Sequence, residues 1–470
     1  MDGRLVMVLI LVSLGVGCSV GPRYQRPKTP APAVYRGVAD PAAQPDPQSL
    51  ADARWFEVFK DHQLQQLVRE ALANNYDLRE AVARVEAARA SYGITRSDQL
   101  PTVAGSAEVT TERISRNGSF NLPVSFDRDR TYGSALLNLL TFELDIWGRL
   151  RRATEAARAD LLASEEARKA VITTLVSDVA TSYFNLRELD FELEIARRTL
   201  TSRRQSLRII KLREERGISN MLEVRQAEQL VYSASEVIPA TEQAIEQQEN
   251  FLSSLLGKNP AGVARGRSLT EQQMPPNVPP GLASDLIARR PDIRAAEQRL
   301  ISANALIGVA KAAYFPRIAL TSFLGFESAQ LSNLFSGSRN VWAFTPQATQ
   351  PIFTGGRLKS NVRLTEAQRE IFLIDYERTI QNAFREVSDS LIAYRKVKEV
   401  RAQRELLVAT LQDRSRLAYM RFNGGVSNLL DALDADRNLF DAELSLAQAR
   451  RDELLTVVQL YKALGGGWQP

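Results

Sequence analysis

Residues 205–234 read QSLRIIKLREERGISNMLEVRQAEQLVYSA, and the chain reverses on itself at Gly217-Ile218-Ser219-Asn220. Ahead of that turn Ile172, Val179, Leu186, Leu193, Leu200 and Leu207 recur every seven residues. After it Val224, Val231, Ile238, Ile245 and Leu252 repeat at the same period, with Leu230, Val237, Ala244 and Phe251 beside them. Apolar positions at this spacing need a partner helix along their whole length. Leu150 to Arg216, if helical throughout, spans roughly 100 Å at about 1.5 Å per residue. An ordinary globular core does not house such a hairpin.

The hairpin is written twice. Gly148-Arg149-Leu150 returns as Gly356-Arg357-Leu358, 208 residues on, and the turn returns as Gly425-Val426-Ser427-Asn428 at the same offset. Leu256-Gly257 returns as Leu464-Gly465. Upstream the offset is 215: Asp77 matches Asp292, Arg84 matches Arg299, Gly93 matches Gly308 and Pro101 matches Pro316. The change places a seven-residue length difference in a loop between Pro101 and Gly148. An internal duplication of about 200 residues is the main architectural fact, and the two halves form one intertwined domain.

Charges are mixed along the helices, net +5, with no basic patch that would address nucleic acid. Leu5 to Val16 is an apolar run too short to span a bilayer and suited to a signal peptide over residues 1–17. The sole cysteine, Cys18, ends it in Gly17-Cys18-Ser19, with Gly15 at the third position before the cysteine. This reads as a lipid-attachment site, since acyl chains on such a cysteine anchor a protein. Residues 18–60 form a proline-bearing strap, and Trp55-Phe56 and Phe59 begin the packed part.

A helix is predicted from about Gln63 to Asp98. Beyond Pro101 the period falls to two. Val103, Gly105, Ala107 and Val109 share one face; Ser106, Glu108, Thr110 and Glu112 share the other. Ile318, Leu320, Leu324 and Phe326 alternate with Arg317, Thr321 and Glu327, and Trp342, Phe344, Pro346 and Ala348 with Thr345, Gln347 and Thr349. A fourth strand, about Thr131 to Asp145, alternates less cleanly. Four long two-faced strands fit a membrane barrel, but an open edge in lipid leaves backbone groups unpaired. Small closed barrels need about eight strands, so two, three or four chains pool theirs.

Several runs resemble the outer-membrane factor family, the TolC-like channels, in its lipoprotein branch serving resistance–nodulation–division efflux pumps. They are Cys18-Ser19-Val20-Gly21-Pro22, Tyr24-Gln25-Arg26-Pro27, Pro279-Pro280-Gly281-Leu282, Arg289-Arg290-Pro291-Asp292-Ile293-Arg294-Ala295-Ala296-Glu297, Ala313-Tyr314-Phe315-Pro316, Pro351-Ile352-Phe353 and Leu460-Tyr461-Lys462-Ala463-Leu464-Gly465-Gly466-Gly467-Trp468. The resemblance implies a mainly α chain with a membrane β-barrel: a homotrimer whose four strands per chain build a shared twelve-stranded barrel above a long α-helical barrel. It implies an outer-membrane location in a Gram-negative bacterium, anchored at Cys18 and reaching into the periplasm. It also implies two partners, a periplasmic adaptor and an inner-membrane pump. The repeats are residues 61–257 and 285–465, joined by a proline-rich equatorial linker, 258–284, and followed by a tail, 466–470.

By the same resemblance the adaptor meets the turns Gly217, Ile218, Ser219 and Asn220 and Gly424, Gly425, Val426, Ser427 and Asn428. The two turns differ in charge. Arg421, Asp431, Asp434 and Arg437 crowd the second, where the first has Arg213, Glu223, Gln226 and Gln229. Leu430, Asp434 and Arg437 fall at i, i+4 and i+7 on one helix face. The family's aperture lies at the corresponding stretch, so Leu430, Asp431, Asp434, Arg421 and Arg437 are the expected periplasmic gate, with Arg421 or Arg437, or bound cations, neutralising Asp434. Pro239 in the first return helix removes a backbone bond and is expected to bend it.

No catalytic constellation is visible. His62 is the only histidine, so histidine triads and histidine metal clusters are excluded. Gly257-Lys258-Asn259 lacks the spacing of a phosphate loop, and Met221 and Met420 read as packing residues. Neither a cofactor nor a metal is called for. The expected function is a passive exit duct for small molecules, drugs or metal ions. Protein or peptide export is the alternative channel reading; a trimeric coiled-coil adhesin is the alternative of another class, which the repeated strand pairs oppose.

Overall fold

A computed structural model describes residues 19–38, 48–115, 127–273 and 278–469. The helices used below are α1 (Trp55–Val58), α2 (His62–Asn74), α3 (Tyr76–Ser97), α4 (Arg149–Glu215), α5 (Met221–Leu255), α6 (Ala283–Arg289), α7 (Pro291–Ala312), α8 (Arg357–Asn423) and α9 (Leu429–Ala463). The strands are β1 (Val103–Arg113), β2 (Asp129–Leu144), β3 (Arg317–Ser328) and β4 (Asn340–Thr349). The chain folds as two units. One takes Val85–Ser164 and Ala296–Tyr376 with the N-terminal residues up to Pro27; the other takes Lys28–Arg84, Glu165–Ala295 and Glu377–Pro470.

The first unit holds one antiparallel sheet in the order β1-β2-β3-β4. Register settles its faces. Val103 lies opposite Leu139, Leu139 opposite Ser322 and Ser322 opposite Phe344; one row on, Gly105, Leu137, Leu324 and Trp342 line up. This face is apolar, and Leu137, Leu324, Trp342 and Phe344 stand exposed on it. The other face carries Ser106, Glu108, Thr110, Asn138, Thr321, Thr345 and Gln347. The weak alternation of β2 has a cause. Leu139 opposes Ser322 but Phe142 opposes Leu320, so a bulge inserts one residue and the apolar set changes from odd to even numbers. The length difference between repeats is also not a loop alone: β2 has 16 residues and β4 has 10.

At the foot of the sheet the Asp145 carboxylate accepts from the first free amides of α4, Leu150 at 3.0 Å and Arg151 at 2.8 Å. That satisfies donors every helix start leaves open. Trp147 stacks on Phe315 at 4.7 Å and donates to the Pro316 carbonyl at 2.9 Å. The strap enters here: the Val20 amide donates to Trp147 O at 3.0 Å. A Cβ on Gly21 would lie 2.5 Å from the Gly308 Cα, so the strap crosses α7 backbone to backbone. Tyr24 and Arg26 then clasp the buried Glu297 carboxylate at 3.0, 2.6 and 2.5 Å.

The duplication shows in the helix lengths. α4 and α8 have 67 residues each, α5 and α9 have 35 each. α5 is a single helix through Pro239 and as long as its counterpart. The helix expected from Gln63 to Asp98 breaks at Asn75, which ends α2 and whose side chain caps α3 by accepting from the Leu78 amide at 3.0 Å. Asn75 also donates to the Leu255 carbonyl at 3.0 Å. The matching position of the second repeat is Arg290, which donates to the matching carbonyl, Ala463, at 2.9 Å. Two different side chains thus cap the same helix end. The linker is not loose: Asp61 accepts from Tyr183, from the Arg267 amide and from Gln272, each at 2.9 Å. Arg265 pairs with Asp190 at 3.1 Å and also with Glu249.

Candidate functional site

The two turns lie in the second unit and are built alike. Gly217 has φ +70° and Gly425 φ +74°, the left-handed backbone that ends a helix and favours glycine. The Ile218 amide returns to Arg213 O at 2.8 Å, and the Val426 amide to Arg421 O at 2.9 Å. Each return helix is then capped by asparagine: Asn220 accepts from the Glu223 amide at 3.0 Å and Asn428 from the Asp431 amide at 3.1 Å. Ser219 and Ser427, at matching positions, both hold buried hydroxyls without a hydrogen-bond partner.

Behind the turns the two hairpins share one apolar core of Ile210, Val224, Ala227 and Leu230 from the first and Phe422, Leu429, Ala432 and Leu433 from the second. Arg213 lies over the Phe422 ring at 4.6 Å. Deeper in, the buried Arg203 pairs with Asp436 at 3.0 Å and donates to Leu230 O at 2.9 Å, which stitches the hairpins together. Ahead of the turns Ile218, Met221, Leu222, Met420, Val426 and Leu430 are exposed. The seven-residue series placed Phe251 in the seam, but it stands exposed near the far end of α5.

Asp434 is the centre of the charged cluster. It accepts from Arg437 at 2.9 Å, from Asn438 at 3.0 Å and from Arg414 of α8 at 2.7 Å. Of the two cations expected from sequence, Arg437 is therefore a partner within this chain. The cross-hairpin partner is Arg414 and not Arg421. Arg421 stands in the last turn of α8, whereas Asp434 lies more than a turn into α9, so an antiparallel neighbour must come from farther back along α8. Counting residues on both sides of the turn would have found Arg414. Leu430 and Asp431 sit at the start of α9, on the exposed surface.

Cys18 lies outside the described residues. Among the described residues no cluster of histidine, cysteine or carboxylates could hold a metal ion. No helix there is long and apolar enough to cross a membrane.

A model of outer membrane efflux proteins matches residues 67–258 and 282–466, one stretch per repeat. The solvent efflux pump outer membrane protein SrpC of Pseudomonas putida is 40% identical over 473 residues, covering 100% of this chain and 99% of that protein. The cation efflux system protein CusC of Escherichia coli is 36% identical over 461 residues, covering 96% of each. Among solved structures, the open state of the Neisseria gonorrhoeae MtrE outer membrane channel matches with a TM-score of 0.87 at 32% identity, over 96% of this chain and 99% of that one.

Proposed function

This chain belongs to the outer membrane efflux protein family, and we propose that three copies form one exit duct, each lending four strands to a twelve-stranded barrel. It is an efflux channel of the outer membrane, extending into the periplasm. The observation that carries the shared barrel is the sheet: two-faced, and open at β1 and β4. From Ile318 to Ser328 its apolar face runs roughly 33 Å along the strand at about 3.3 Å per residue. Tilted by roughly 40°, that covers about the 25 Å apolar band of such barrels. The unpaired edges in lipid each require a neighbouring chain.

The hairpin turns are the docking end. Their exposed apolar side chains and the two unpartnered serine hydroxyls suit a periplasmic adaptor that brings an inner-membrane pump. Leu430, Asp431, Asp434, Arg437 and Arg421, with Arg414, are the gate. Exposed ion pairs are worth about 0–1 kcal/mol each, so several weak links hold the aperture and adaptor binding opens it. The duct passes small molecules, among which relatives are named for solvents and for cations. Cys18 is the lipid-attachment residue: it is the sole cysteine, ends the apolar run Leu5 to Val16, and directly precedes Ser19, which lies against Gly148 at the foot of the sheet.

The test is purified protein in a planar lipid bilayer. Trimers that resist detergent, with conductance raised by Asp434→Ala together with Arg414→Ala, are expected. Monomers without conductance overturn the duct.

A further inference from the structure

The bulge in β2 also reshapes the polar face of the sheet. Leu139 opposes Ser322 and Phe142 opposes Leu320, and both Leu139 and Phe142 belong to the apolar face. Leu140 and Thr141 therefore stand together on the polar face, opposite Thr321 alone, where a regular strand would place one side chain. One row on, Asn138 lies opposite Phe323. A hollow of about 700 Å³ opens on this face, and Asn138, Leu140, Thr141, Thr321, Phe323 and Thr345 line it.

Its chemistry differs from that of the rows around it. Among the described residues, no side chain that lines it is charged. Leu140 is 46% exposed and Phe323 36%, both on the face that the duct reading turns to water. The remaining lining is mostly hydroxyl and amide. The Thr321 hydroxyl donates to Thr345 O at 3.3 Å, which leaves it an acceptor, and Asn138 donates to Ser106 Oγ at 2.8 Å, which leaves its carbonyl oxygen an acceptor too. Charge returns two rows to either side of Phe323. Toward the β3–β4 connection Glu108 and Glu327 flank Ser134. Toward the helices Glu143 is held by Arg149 at 2.8 Å and Arg317 at 2.5 Å.

We propose that this hollow is a transit site for uncharged amphiphilic solutes. An aromatic or aliphatic body lies against Leu140 and Phe323, and a hydroxyl group on the solute donates to Thr321 or Asn138. The site rests on the duct reading and gives the duct a solute class. Three observations favour such a solute over any other occupant. β2 and β3 are the inner strands of the sheet, so a neighbouring copy joined at β1 or β4 leaves the hollow open. The opposite, apolar face is the one that meets lipid. The lining carries no countercharge, so an ion would give up hydration there for nothing, whereas a neutral molecule gains apolar contact and a hydrogen bond. An apolar patch rimmed by polar groups is the usual mark of a binding surface. Three copies bring three such sites to one lumen.

The test is thiol labelling of Thr141→Cys trimers in lipid vesicles, with the unmutated chain as the control for Cys18. The probe is N-phenylmaleimide, uncharged and aromatic. Its labelling rate is expected to level off as its concentration rises and to fall when unreactive N-phenylsuccinimide is added. Phe323→Ser in the same chain is expected to lower the rate about threefold to tenfold. Labelling by a trimethylammonium methanethiosulfonate is expected to rise in simple proportion and to ignore both changes. Thr345→Cys is the second position, for use if Thr141→Cys fails to assemble. A phenylmaleimide rate that stays proportional to concentration, uncompeted and indifferent to Phe323→Ser, overturns the site and leaves the duct standing. If the charged reagent reaches Ser322→Cys on the other face and not Thr141→Cys, the polar face is not the wet one, and the duct reading falls together with the site.

Discussion

Asp61 shows how one side chain holds the linker to the first hairpin. It is 3% exposed and accepts from Gln63, Tyr183, Arg267 and Gln272. Burial works to raise its pKa, but the donors Gln272, Tyr183 and the Arg267 and Gln63 amides outweigh it, and the net direction is down. Its contribution is therefore present above the ordinary carboxylate pKa and lost as pH falls through the depressed folded value. Asp61→Ala strands those donors and is expected to cost about 1–3 kcal/mol at neutral pH, read as a lower unfolding midpoint by circular dichroism. Glu188 behaves in the opposite sense. Burial first, then the hydrogen bond and charge of Glu192, push it up to about 8 against the pull of Arg451. The folded form then holds a proton that the unfolded form releases, so stability falls as pH rises from about 4.3 toward 8. Glu188→Gln is expected to flatten that slope between pH 5 and 8 in the same thermal assay; an unchanged slope refutes the role.

At the scale of elements, the turn and the strand respond differently to substitution. Around Gly217 and Gly425 a Cβ would meet nothing within 4 Å, so the cost of Gly217→Val and Gly425→Val is in the backbone alone. Roughly 1–2 kcal/mol each is expected, with trimers kept and adaptor cross-linking reduced. On the sheet, Leu324→Arg puts a charge on the apolar face and is expected to cost about 2–4 kcal/mol at the bilayer midplane. Thr345→Arg, on the polar face, is expected to insert normally; folded fractions by gel mobility before and after heating separate the two. Much of this was legible in sequence, because the hairpins and three strands follow one period each and the turns repeat their own caps. What was not legible came from residues that break a period locally. The bulge between Leu139 and Phe142 hid β2, Asn75 divided a helix whose apolar pattern runs on, and Arg414 belongs to no period, its partner being found only by counting from the turn.

For the whole molecule, the proposed anchor and the barrel are expected to be separable. Cys18→Ser is expected to abolish labelling with radioactive palmitate while the protein still reaches the outer membrane, since the strands provide most of the membrane burial; persistent labelling refutes the assignment. β2 pairs with β3, yet Leu144 and Ile318 are about 170 residues apart in the chain. A nascent chain that has delivered β1 and β2 has half a sheet with an apolar face and no neighbour until β3 arrives, after the entire first hairpin. Bilayer insertion by the strands is consequently a late event, and the apolar face stays without a partner throughout the wait. In a Cys18→Ser background, which removes the proposed lipid anchor, a chain stopped at residue 310 is expected to remain outside the membrane and be cleared by proteases, whereas one stopped beyond β4 reaches the membrane fraction; pulse labelling with envelope fractionation distinguishes them.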